Sequence, residues 1–117
     1  MPRSRKVVHV IHSGAIGGGP AVVLSLATLL DADQLVLCAD DGPLLRDAAA
    51  AGVDVTALSH TGKYSFPLST GIIARAARRA DIVHLHGQFA AFYGGPVARA
   101  AGAKVVYTAH FPSFVTD

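Results

Sequence analysis

The feature that most constrains this chain is an alternation. Short runs of β-branched and aliphatic residues are separated, along the whole length, by stretches whose apolar residues recur at helical spacing. Residues 7–11, Val-Val-His-Val-Ile, read as a strand buried on both faces. Residues 35–38 and 53–58 give a second and a third strand. The third alternates apolar and polar residues, as a strand near a sheet edge does. Residues 82–86 and 104–109 give a fourth and a fifth. Between them, Val22, Val23, Leu26, Leu29 and Leu30 recur on one helical face. Pro20 and Pro43 occupy the preferred first position of two helices, and Gly52 stands just past the second. Helices are also expected over residues 68–79 and 90–101, with residues 59–67 as a polar loop. Pro96 should kink or split the last helix, because proline removes a backbone donor and crowds the preceding turn.

Strand–helix alternation predicts an α/β fold: a doubly wound, Rossmann-like parallel sheet of five strands in the order 3-2-1-4-5, with helices on both faces. Its topological switch point lies between the first and fourth strands. Ligands of such sheets bind there, outside the carboxyl ends of the strands. That rule brings together Ser13 to Gly19, the His86-Gly87-Gln88 segment, and the Thr108-Ala109-His110 segment.

Composition narrows the class. With 117 residues, 51% of them hydrophobic, the chain suits one domain with a real core. Ten Lys and Arg against eight acidic residues leave no basic face with interleaved aromatics, so nucleic-acid binding is not expected. One cysteine, Cys38, excludes an internal disulfide and suits a reducing compartment. No stretch is apolar enough to span a bilayer and no secretory leader is evident, so a cytoplasmic protein is expected. Arg75, Arg78 and Arg79 share a helix face. A solvated face is the plainer reading; peripheral contact with an anionic membrane, at its inner surface, is the other. The Ala, Gly, Arg and Val richness suits a GC-rich bacterial genome.

Gly17, Gly18 and Gly19 sit where a helix begins at the switch point. Unpaired amides there favour anions, and glycine lets a phosphate approach closely. The dinucleotide fingerprint fails at its third position, which is Ile16, and the P-loop lysine is missing because Pro20 and Ala21 follow Gly19. NAD binding is therefore disfavoured, although Asp40 ends the second strand, where a ribose-binding acid would sit.

His84 and His86 project from one face of the fourth strand. His9 and His84 read as satisfied core residues. His86 and His110 fall at strand ends facing the expected crevice, where an imidazole can hydrogen-bond a sugar hydroxyl or a developing phosphate charge. His84 and His86 with His110 or His12 could supply three imidazoles to a metal. No carboxylate accompanies them, and the chain contains no glutamate, so no metal site is expected. His60, Lys63 and Tyr64 are able to contact an acceptor sugar; a solvated loop is the plainer reading.

The segments KVVHVIHSGAIGGGPAVVLSLA, GPLLRDAAAAGVDVTAL, ADIVHLHG and KVVYTAH, in this order and spacing, resemble the N-terminal domain of family 4 retaining glycosyltransferases. The resemblance runs through nearly the whole chain and thins over residues 59–67. It implies one of two Rossmann-like halves facing a cleft (the GT-B arrangement): residues 1–117 would form the acceptor-side domain, and the half that grips the nucleotide diphosphate sugar would lie outside this chain. By the same resemblance, Gly17 to Gly19 would approach the donor diphosphate, His110 would stand near the transferred sugar as the catalytic group, and the His84–Gly87 segment would shape the cleft floor. Hexosyl transfer with retained anomeric configuration, to a glycan, lipid or small-molecule acceptor, would proceed without cofactor or metal.

The family's paired glutamates are absent by composition, and members usually add strands after the one ending near His110. A fragment, or one chain of a split enzyme, is therefore expected, inactive by itself. Two other classes stay open: a non-catalytic domain binding a glycan or phosphorylated ligand, and half of a nucleotide-sugar epimerase.

Overall fold

A computed structural model describes residues 5–11, 18–29, 32–38, 43–58 and 66–108; of residues 18–20, 66–69, 88, 89 and 91–93 only the backbone is described. The elements run β1 (Lys6–Ile11), α1 (Gly18–Leu29), β2 (Asp33–Cys38), α2 (Pro43–Ala50), β3 (Asp54–Ala57), α3 (Phe66–Arg78), β4 (Ile82–His86), α4 (Gln88–Ala100) and β5 (Lys104–Thr108). The five strands are parallel, in the order β3-β2-β1-β4-β5. This is the expected Rossmann-like α/β fold, with β3 at one edge.

Two layers of side chains hold the helices to the sheet. On one side Val8, Val10, Leu37, Val83 and Leu85 pack with Ile73 and Ala77 of α3 and Ala90 and Ala98 of α4. On the other, Ile11, Val36 and Cys38 pack with Val23 and Ala27 of α1 and Leu44 and Leu45 of α2. The assignment follows from period-two alternation along each strand. Cys38 is a buried core residue, as its size and apolar character suggest.

Most helix boundaries differ from those the sequence predicts. Helix α1 starts at Gly18, so Gly18 and Gly19 are its first residues and Pro20 its third. Helix α3 starts at Phe66 and takes Pro67 into its first turn, which needs no proline N–H. Helix α2 does begin at Pro43, and Gly52 follows it with φ 87°, a left-handed conformation that ends a helix without Cβ strain. Pro96 does not split α4, which runs unbroken to Ala100. Buried Ala90, Gly94, Gly95 and Ala98 lay that helix closely on the sheet; a Cβ added at Gly94 would stand 3.0 Å from Leu85 Cδ2. Packing of this kind offsets the one hydrogen bond that proline forfeits.

Asp81 pins the amino ends of three strands. Its Oδ2 accepts the Lys6 amide at 2.8 Å, its amide donates to the Lys6 carbonyl, and its carbonyl accepts from Lys104. This fastening aligns β1, β4 and β5, and so levels their opposite ends.

Candidate functional site

Those opposite ends form the rim of the switch point. Ile11 pairs with His86 and His86 with Thr108, so the last residues of β1, β4 and β5 stand level. From this rim α1 departs over one face of the sheet and α4 over the other. The rim between β1 and β4 is the place at which a doubly wound sheet binds ligands.

The helix that follows β1 opens with Gly18 and Gly19. Amides of a first helical turn lack intrahelical partners and carry the positive end of the helix dipole. Gly87 caps α4 with φ 90° and ψ 165°, a region essentially reserved for glycine, and no side chain caps that helix. Its amide donates to the Thr108 carbonyl at 2.9 Å. A Cβ at Gly87 would meet nothing within 4 Å. The glycine is thus required by backbone conformation alone, and it lets β4 pass into α4 without an intervening loop. Gln88 is the first residue of α4. Ser13, Gly17, His60, Lys63, Tyr64 and His110 lie outside the described residues.

Just inside the rim, on the α1/α2 side, a polar row crosses four strands: Gln34 of β2, His9 of β1, His84 and His86 of β4, and Thr108 of β5. His9 Nε2 and Gln34 Oε1 are 2.7 Å apart, so the ring nitrogen donates. A neutral His9 then turns the lone pair of Nδ1 toward His86 Nε2, 3.2 Å away, which donates to it. Burial pushes the His9 pKa below its ordinary 6.5, opposed by the hydrogen bond to Gln34. His84 Nε2 is hydrogen-bonded to Thr108 Oγ1 at 2.6 Å. The rings of His84 and His86 stack at 3.9 Å, and both lie within 6 Å of the His9 ring.

This row revises the division of the histidines drawn from the sequence. His9 and His84 are satisfied, as a core reading requires, but they are joined to His86 in one cluster. His86 is only 1% exposed and turns its Nε2 to His9. The third imidazole beside His84 and His86 is His9, which the sequence had set apart. His9 and His84 are direct partners across the β1–β4 ladder, a register that no local pattern announces.

A Rossmann-like α/β sheet with a glycine helix start following β1 is the class that the fold defines. The profile of Glycosyltransferase Family 4 matches residues 16–116, and the chain belongs to that family. No curated protein sequence matches it. Among solved structures it is similar to HepE of Anabaena in complex with UDP and glucose, with TM-score 0.77 and 20% identity over 92% of this chain and 30% of that one. It is also similar to MurG of Acinetobacter baumannii, with TM-score 0.63 and 19% identity over 88% of this chain and 34% of that one. A third is a putative UDP-N-acetylglucosamine 2-epimerase of Listeria monocytogenes, with TM-score 0.61 and 13% identity over 92% of this chain and 32% of that one. At these identities the likeness is one of fold, and the chain spans about a third of each relative's length.

Proposed function

We propose that this chain is the acceptor-side domain of a retaining glycosyltransferase that moves a hexosyl group from a nucleotide diphosphate sugar to a glycan, lipid or small-molecule acceptor. The family match over residues 16–116 carries the reading; a glycine helix start following β1, the strand beside the switch point, supports it. In this reading a second domain holds the nucleotide and the two halves close on the sugar. As the bond between the anomeric carbon and the donor phosphate breaks, negative charge grows on the phosphate oxygens. The amides of Gly17, Gly18 and Gly19 face that charge and stabilise it. His110 contacts the transferred sugar. His86, held from behind by His9, forms the cleft floor with Gly87 and Gln88, while Ser13, His60, Lys63 and Tyr64 receive the acceptor. Work at the inner face of the cytoplasmic membrane suits a lipid-linked acceptor.

Transfer from a panel of UDP-, GDP- and ADP-sugars by the protein of the complete reading frame tests this. Turnover to an acceptor with retained configuration is expected, with His110→Ala lowering kcat about 10²- to 10³-fold. Absence of transfer from every donor overturns it. The fold likeness to a putative epimerase gives a second reading; a donor sugar inverted at C2 without any acceptor would favour it.

A further inference from the structure

We propose that His9, His84 and His86 form a binding site for a divalent transition-metal ion of the zinc class, bridging β1 and β4 beneath the switch point. The proposal does not rest on glycosyl transfer, and its readout is binding.

Each imidazole offers one ring nitrogen, and the three lie within 4.8 Å of one another. A tetrahedral zinc ion with Zn–N bonds of about 2.0–2.1 Å holds its ligand nitrogens about 3.3 Å apart. His9 Nδ1 and His86 Nε2 already stand at 3.2 Å. On binding, the ion takes the place of the proton between them: His86 gives up its Nε2 proton and takes one up on Nδ1, a change of tautomer that leaves Nε2 as the ligand atom. His9 needs no change of tautomer, because its proton is committed to Gln34 at 2.7 Å. That bond is also the outer contact a metal-bound histidine usually makes, fixing the ring and raising its basicity. His84 must turn to close the remaining gap. It is the half-buried member of the trio, and its Nε2 is anchored to Thr108 on the neighbouring strand.

The half-buried His84 lies on the less covered side of the cluster. Val106 of β5, on the face shared by the three histidines, is 40% exposed, whereas α1 and α2 cover β1 and β2. Three neutral imidazoles without a carboxylate suit zinc, copper or nickel and disfavour magnesium or calcium. The fourth position falls to water.

Titration of the 117-residue chain with Co²⁺, a spectroscopic stand-in for zinc, is the test. One equivalent is expected to give the visible absorption bands of tetrahedral cobalt, and Zn²⁺ should abolish them. His84→Gln, with an unchanged circular dichroism spectrum, should weaken binding at least tenfold, and Gln34→Leu about 10- to 100-fold. His84→Cys retains a ligand and should add a thiolate-to-cobalt charge-transfer band, which keeps the test decisive if His84→Gln fails to fold. No visible bands with Co²⁺ and no heat with Zn²⁺ would overturn the proposal. So would undiminished affinity in a folded His84→Gln, or a His84→Cys protein lacking the new band.

Discussion

The two faces of β1 and β4 are built from opposite chemistry. Toward α3 and α4 the strands present Val8, Val10, Val83 and Leu85, fully or almost fully buried among aliphatic neighbours. Toward α1 they present His9, His84 and His86, bonded to Gln34 on one flank and Thr108 on the other. The same backbone thus carries a face that gains from leaving water and a face that must replace every hydrogen bond it loses. No buried side-chain nitrogen or oxygen among the described residues lacks a partner, so the polar face is completed, at the cost of ordering five side chains. An apolar row would hold the strands as well with less precise geometry. The polar row runs from Gln34 within the sheet to His86 and Thr108 at the rim itself.

The comparison can be broken hardest on the apolar face. Leu85→Ala removes the buried side chain that a Cβ added at Gly94 or Gly95 of α4 would meet, and should cost about 2–5 kcal/mol in denaturant unfolding. A loss under about 1 kcal/mol would mean that α4 packs elsewhere.

On the polar face the expected costs are smaller and depend on partners. His9→Leu removes the hydrogen bonds that Gln34 Oε1 and His86 Nε2 make to His9 and should cost about 1–3 kcal/mol. Adding Gln34→Leu should restore part of that loss, because an apolar pair asks for no hydrogen bond. Additive losses in the double variant, measured by the same unfolding, would show that the two side chains do not act as a pair.

The junction between the faces gives the next test. Gly87→Ala has room for its methyl group but not a favourable backbone, so strain alone should cost about 1–3 kcal/mol. An unaffected midpoint would indicate that the β4–α4 passage adopts another conformation.

Acidification sharpens the contrast most gently. The His9 pKa is lowered in the fold, so the unfolded chain binds more protons as pH falls below 6.5. Stability present above that value should decline as pH falls through it, with a slope from this one site of at most about 1.4 kcal/mol per pH unit. A shallower slope in His9→Leu across the same window would assign the effect to this ring; an unchanged slope would assign it elsewhere.

Much of the fold was legible from local pattern. β-Branched runs located all five strands, and β4 matched residue for residue at Ile82–His86. The order is the one expected of a doubly wound parallel sheet. Helix starts were less legible, because the usual signs are weak here. No acidic residue lies in the first turn of any described helix, and α4 is capped by a glycine without a side-chain acceptor. The alignment of three strand ends on one rim was legible too. The polar row was not, since the spacing of His84 and His86 showed only that they share a face.

By itself, then, the sequence determined which segments become strands and helices, their parallel order, and the rim where ligands should bind, because periodicity and crossover chirality act along the chain. Only the tertiary structure decided that His9 meets His84 and His86, that Gln34 orients the ring of His9, and that α4 continues through Pro96. Those outcomes depend on the register between β1 and β4 and on the close seating of α4 against Leu85, and both arise between segments far apart in the chain.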